Sequence, residues 1–367
     1  MDKFTVYYHL QCSGQEANQL ARRIAVEQTV EMPEHLVTDP WIKDNIIGDI
    51  VSVTEIGPNC FEFQAQYHAD ITVYQLPQFL NLLFGNISML TGIKLAQIEF
   101  PPQFLDQFQG PRLGVEGLRK QSGVLDRPLI ATALKPLGSA PETLAEICYQ
   151  FALGGMDIIK DDHSLSNQSF CTFKDRVSAC MQAIRKAESE TGKKTLYYPN
   201  VSGSVELLGG QIEQAIEFGA AGVVLHPFIM GLDLARHLID RYAGQLSFMA
   251  HPSMSGALTQ NSHGIDAAIT LGTILRLTGF DISIFPHFGG RFPFSEEGCL
   301  DISAKCREKL SRLKPVFPAP AGGMNVQNIK KEAHVYGADV ILLIGGSLYD
   351  LSPDLKANAR WFSESLQ

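Results

Sequence analysis

The string GGMDIIKDDH, residues 154–163, sets a lysine, two aspartates and a histidine directly behind a short apolar run. Charges at the end of a buried strand are costly unless they are paired or bind a cation. Lys160, Asp161, Asp162 and His163 therefore read either as an ion-paired cluster or as a site for a hard cation such as Mg2+, which prefers carboxylate oxygens and also binds substrate oxygens. A lysine joins such a shell only as an anion, for instance after its amine has captured CO2 to form a carbamate. Lys135, in the run TALKP, could move a proton if desolvation or a neighbouring cation lowered its pKa; its plain alternative is a lysine paired with a carboxylate. His251 and His287 also follow apolar runs, where imidazole can bind or transfer protons, whereas His226 reads equally well as structural. Arg291, in HFGGRF, suits bidentate contact with phosphate or carboxylate, or one half of a surface salt bridge. Gly322-Gly323 and Gly345-Gly346 would let backbone N–H groups approach an anion closely, so a phosphorylated substrate is expected.

These residues share a position relative to the elements that carry them. From Pro128 onward, eight short apolar runs alternate with helical segments: 129–134, 156–159, 195–198, 222–225, 246–250, 282–285, 316–319 and 340–344. Each candidate functional group lies just after one of them. A (β/α)8 barrel places its chemistry on those carboxyl-end loops, which favours a TIM barrel over 126–367 against a doubly wound sheet. Residues 1–125 read instead as a small α+β domain, ferredoxin-like, with a hairpin across Gly57-Pro58-Asn59.

Composition narrows the function further. The 367 residues carry 30 Lys plus Arg against 39 Asp plus Glu, a net charge of -9, which leaves no broad basic field for nucleic acid. Seven scattered cysteines without a CxxC pair fit reduced thiols. No apolar run reaches secretory or membrane-spanning length, so a soluble, cytoplasmic protein is expected.

The chain resembles the large subunit of ribulose bisphosphate carboxylase, and more closely the RuBisCO-like proteins that share its fold without fixing CO2. The motifs that carry the likeness run from AVEQT at 25–29 and FGNIS at 84–88 through RPLIATALKP at 127–136, the KDDH string, MAHPSMSG at 249–256, FPHFGG at 285–290 and PAPAGGM at 318–324 to IGGS at 344–347. The resemblance implies one Mg2+ per subunit, held by a carbamylated Lys160 and Asp162, with His163 standing where the family has a glutamate. It implies Lys135 as the proton-moving lysine, and His251 and His287 as contacts to substrate hydroxyl and phosphate. Glu27 and Asn86 match residues that complete the partner subunit's site, implying an antiparallel homodimer with shared active sites. Three family cations are missing: Leu137, Pro252 and Phe294 stand where a second lysine, an arginine and the CO2-gripping lysine belong, and Arg291 is a substitute phosphate contact.

Without the lysine at Phe294, carboxylation is not expected, while enolate chemistry remains. KDDH together with HFGGRF looks most like the acid-sugar group, so the expected reaction is decarboxylation of a phosphorylated 3-oxo sugar acid of the 3-oxoisoapionate 4-phosphate type. The alternatives are an isomerase or enolase of a methylthio-sugar phosphate in methionine salvage, a transcarboxylase/hydrolase of the same acid sugar, and a sugar-phosphate-binding protein without turnover.

Overall fold

The computed structural model describes residues 2–259 and 262–366. Thirteen strands follow in chain order: β1 (Lys3–Gln11), β2 (Asp49–Gly57), β3 (Cys60–His68), β4 (Ile93–Glu99), β5 (Leu129–Leu134), β6 (Ile158–Asp161), β7 (Leu196–Tyr198), β8 (Gly222–Leu225), β9 (Ser247–Ala250), β10 (Gly264–Ile265), β11 (Ile282–Pro286), β12 (Phe317–Ala321) and β13 (Ile341–Ile344).

Every second residue of β1 from Phe4 onward, Phe4, Val6, Tyr8 and Leu10, is a buried apolar side chain, and the antiparallel register sets three of them opposite Tyr67, Ala65 and Phe63 of β3. This face packs under the helices Ala17–Glu27 and Leu76–Phe84. The order β4-β1-β3-β2, with the helices Ala17–Glu27 and Pro40–Asn45 in the first crossover and Leu76–Phe84 in the second, is the ferredoxin-like arrangement. One strand was not anticipated. β10, which lies between the fifth and sixth barrel strands in the chain, joins this first sheet parallel to β4, and Ile265 and Ile269 enter its core.

The other eight strands form one parallel sheet in the order β7-β6-β5-β13-β12-β11-β9-β8. Its two ends meet: Val224 N donates to Pro199 O (2.9 Å) and Val201 N to Val224 O (3.0 Å), which brings the sheet round into the expected TIM-like barrel. Its strands are buried on both faces, as strands covered by helices must be. Side chains alternate between two cores. Leu129, Ala131, Ile158, Met249, Ile282 and Ile284 fill the barrel, while Ile130, Ile159, Ala250 and Phe285 pack against the surrounding helices. The second barrel strand lies two residues later than expected. Lys160 and Asp161 extend its ladder by pairing with Ala133 and Leu134 of β5. Among the described residues no helix is long and apolar enough to cross a membrane.

Candidate active site

A cavity of about 780 Å³ opens at the carboxyl ends of the barrel strands. Strand parity decides what enters it. Leu129, Ala131 and Ala133 face inward on β5, which points Lys135 at the mouth; on β6, Ile158 and Lys160 face inward and Asp162 continues the series at the rim. Asp161 has the opposite parity and lies wholly buried among the helices. It accepts hydrogen bonds from Arg176 Nε (2.9 Å), Tyr197 OH (2.7 Å) and Asn200 N (3.0 Å). The KDDH string is thus divided: Asp161 is held in an ion pair behind the barrel, and Asp162, paired with Lys135, lines the cavity.

Lys135, Lys160, Asp162, His163, His251 and Arg291 all line this cavity, as do the glycine pairs Gly322-Gly323 and Gly345-Gly346. The Lys135 ammonium is ion-paired with Asp162 Oδ2, and His163 Nδ1 stands 2.8 Å from Asp162 Oδ1. Burial would raise the Asp162 carboxyl, but Lys135, helped by Lys160 and His163, holds it at about 2. Lys160 is only 3% exposed, and its amine donates to Asp161 O at 2.6 Å. Burial outweighs the attraction of Asp162 and Asp161 and pushes this amine down to about 8.

Three imidazoles stand side by side. The rings of His163 and His251 stack with centroids 5.0 Å apart, and His226 leans on His251 at 5.1 Å. Burial, then the charge of Lys160, depresses His251 to about 2 and His226 to about 4, so both rings are neutral at ordinary pH. His226 does not line the cavity; its Nε2 lies 2.7 Å from Asn200 Oδ1. Asn200 also donates to the carbonyls of His163 (3.1 Å) and Leu165 (2.7 Å), fixing the loop that carries the KDDH end.

His287 does not line the cavity either. It shares the parity of Ser283 and Phe285 on β11, so its ring turns toward the helices, bonded through Nδ1 to Tyr336 OH at 3.0 Å. Glu27 and Asn86 come together in the first domain, with Asn86 Nδ2 donating to Glu27 Oε1 (3.1 Å) and Glu31 Oε1 (2.9 Å); neither lines the cavity of its own chain. Arg291 forms no ion pair among the described residues and lies over the Phe292 ring at 5.1 Å. Sequence reasoning missed the apolar rim, in which the exposed Met254 and Phe292 join Phe294. It also missed Tyr349, whose hydroxyl ties Lys135 N to Ala133 O.

Among the described residues no three His, Cys, Asp or Glu groups converge as a metal site. Asp162 and His163 supply two donors, and the third position falls to Lys160, whose buried and readily neutralised amine suits conversion to an anionic carbamate. In that form the set fits Mg2+.

A family model, ribulose bisphosphate carboxylase large chain, catalytic domain, matches residues 114–287. Ribulose bisphosphate carboxylase-like protein 1 of Rhodopseudomonas palustris is 39% identical over 362 residues, covering 99% of this chain and 97% of the relative. The chain is a RuBisCO-like protein of the RuBisCO large-chain family. A crystal structure of a Rubisco-like protein from that organism shares the fold with a TM-score of 0.91 at 35% identity, over 100% of this RuBisCO-like protein and 98% of that chain. The 5-methylthioribulose-1-phosphate isomerase of Rhodospirillum rubrum is 34% identical over 100% of this chain and 96% of its own. The 2,3-diketo-5-methylthiopentyl-1-phosphate enolase of Bacillus licheniformis is 32% identical over 95% and 88%. The similarity of this RuBisCO-like protein to both enzymes runs through both domains.

Proposed function

We propose that this RuBisCO-like protein is an enolate-forming isomerase or enolase of a methylthio-sugar phosphate. The observation that carries the reading is the composition of one cavity: the charged group Lys135, Lys160 and Asp162 shares it with the apolar rim of Met254, Phe292 and Phe294. A ketose phosphate with a thioether tail needs both, charge at its enolisable carbon and an apolar wall for sulfur and methyl. The full-length likeness to enzymes named for such substrates supports the reading over the acid-sugar reaction expected from sequence.

Mg2+, held by carbamylated Lys160 with Asp162 and His163, would polarise the substrate carbonyl. Lys135, released from Asp162 when that carboxylate turns to the cation, takes the proton at the adjacent carbon as a neutral amine and returns it. His251 has its Nδ1 engaged by Ser253, whose backbone N–H donates to it at 3.3 Å, so Nε2 keeps the proton of the neutral ring and donates to a substrate oxygen. Gly322-Gly323 and Gly345-Gly346 offer backbone N–H groups to the phosphate. Glu27 and Asn86, which do not line their own cavity, complete that of the partner subunit in a homodimer.

A second reading rests on Arg291. A guanidinium at the mouth without a carboxylate partner among the described residues suits a substrate with a second anionic group, as in decarboxylation of a phosphorylated 3-oxo sugar acid. The test is incubation with 5-methylthioribulose 1-phosphate in D2O, followed by proton and phosphorus NMR. Deuterium entry beside the carbonyl with a shifted phosphate resonance supports the first reading. Inertness there, with CO2 released from the 3-oxo acid phosphate, supports the second; inertness toward both leaves a sugar-phosphate-binding protein.

A further inference from the structure

His287 is 1% exposed and points away from the substrate cavity, yet it is ringed by groups that the reaction does not use. Its Nδ1 lies 3.0 Å from Tyr336 OH, and its Nε2 lies 3.5 Å from Glu332 Oε2. Glu332 is itself 2% exposed, and that oxygen has no hydrogen-bond partner among the described residues. A carboxylate withheld from water in this way is expensive, and its retention calls for a reason. Both partners come from one helix, Ile329–Tyr336, which follows the seventh barrel strand.

Burial raises the Glu332 carboxyl while the charge of Lys331 lowers it, and with Glu332 ionised the proton inventory has one consistent arrangement. Burial and the charge of Lys331 depress His287 to about 4, so the ring is neutral and carries a single N–H. The carboxylate can only accept, so that proton sits on Nε2 and is directed at Glu332, and Tyr336 OH donates to Nδ1. The other titratable groups acting on the cluster are the exposed Lys331, beside Glu332 in its own helix, whose charge lowers the carboxyl, and Glu296 and Cys299 from the helix Glu296–Arg307. Lys331 forms no ion pair with Glu332 among the described residues. The imidazole is the group that orients the carboxylate, and the carboxylate orients the imidazole.

What this arrangement holds is a turn at the cavity edge. His287 N donates to Ala321 O (3.0 Å) and Gly290 N to His287 O (3.1 Å), while a Cβ on Gly323 would stand 2.7 Å from the Gly289 carbonyl. The turn 287–290 is thus seated on the Gly322-Gly323 backbone with no room for adjustment, and Arg291 leaves from its end. We propose that Glu332, acting through His287, is a positioning residue for the anion-binding side of the cavity: the Glu332–His287–Tyr336 cluster seats the turn 287–290 against Gly322-Gly323. The inference rests on reading those glycines as a phosphate cradle; it does not depend on which sugar carries the phosphate.

The test therefore uses inorganic phosphate rather than a substrate. Calorimetric titration of the full chain and hydrogen exchange of the amides at 288–292 are compared for wild type, Glu332→Ala, Glu332→Gln and Tyr336→Phe. Glu332→Ala should raise the phosphate Kd roughly tenfold and speed exchange across the turn, as expected when a binding group is displaced by part of an ångström. Glu332→Gln keeps an acceptor for the imidazole N–H and should restore most of both. Phosphate binding and turn exchange unchanged in Glu332→Ala, even with a lowered melting temperature, would make the cluster merely structural and overturn the proposal. So would failure of the wild type to bind phosphate. A protein that binds phosphate and responds to Glu332→Ala but ignores methylthio-sugars would refute the substrate assignment alone.

Discussion

Lys135 and Asp162, at the ends of the adjacent strands β5 and β6, form an ion pair inside the cavity. The residue assigned to proton transfer and the one carboxylate assigned to a metal are thus each other's counter-ions before any ligand arrives. Substrate and metal must separate them, and each then meets a partner of the same charge type as the one it loses. The pair holds the two side chains together in the cavity until the ligands arrive.

Replacing Lys135 with methionine keeps the aliphatic stem and removes the proton carrier. Solvent deuterium exchange into the substrate should fall by about 100-fold or more. The melting temperature should barely move, because the side chain is 41% exposed. Loss of the ammonium should also let the Asp162 carboxyl rise from about 2, visible in an NMR titration. Retention of full exchange in this variant removes Lys135 from the mechanism.

Lys160 supplies the pH dependence. Its amine must be uncharged to capture CO2, and burial lowers its pKa to about 8. The neutral fraction therefore grows as pH rises through about 8 and is small at pH 6. Protein equilibrated with 13C-bicarbonate should show a carbamate carbon resonance that increases between pH 6 and 9 and is absent from Lys160→Ala. A signal independent of pH, or one that survives in the variant, places the carbamate elsewhere.

The barrel and its catalytic edge were legible because parallel strands buried on both faces read as apolar runs, and the polar residue after each run marks its carboxyl end. Lys135, Lys160, Asp162 and His251 could be placed at the mouth from that pattern, and strand parity supports each of them. The same parity argued against His287, two residues beyond Phe285 on the helix-facing side, and the likeness to the family masked it. Arg176 was invisible. Its pairing with Asp161 depends on how the helix Phe173–Thr191 docks, which no local pattern encodes. The apolar rim was likewise hidden, since Met254 and Phe292 belong to loops whose course is set by tertiary contacts. Strand β10 escaped because two residues are too short a run to show alternation.

The glycine pairs differ in what they tolerate. Gly323 has φ +72 and its added Cβ would meet the Gly289 carbonyl at 2.7 Å, so Gly323→Ala should cost about 1–3 kcal/mol in a urea unfolding titration. Gly345 has ordinary φ and nothing within 4 Å, so Gly345→Ala should stay within about 0.5 kcal/mol of wild type. Its methyl group would still enter the cavity mouth, and the KM for a phosphorylated substrate should rise with kcat nearly unchanged. Equal stability losses at the two positions would contradict this account of the loop.

The Arg176–Asp161 pair, with both side chains fully buried, tests how the ligand loop is held. Arg176 Nε donates to Asp161 at 2.9 Å, and its Nη1 reaches the carbonyls of Ser166 (2.7 Å) and Cys171 (3.3 Å). One guanidinium thus clasps both ends of the loop that begins at Asp162. Arg176→Met removes the clasp and strands a carboxylate in the core, which should cost about 3–5 kcal/mol. In the double variant Arg176→Met with Asp161→Asn no charge is left unpaired, so a large part of that loss should return in the urea midpoint. Divalent-ion binding should not return with it, because Ser166 and Cys171 are still unclasped. Recovery of stability and ion binding together would mean that the pair contributes charge balance alone and that the loop keeps its shape without Arg176.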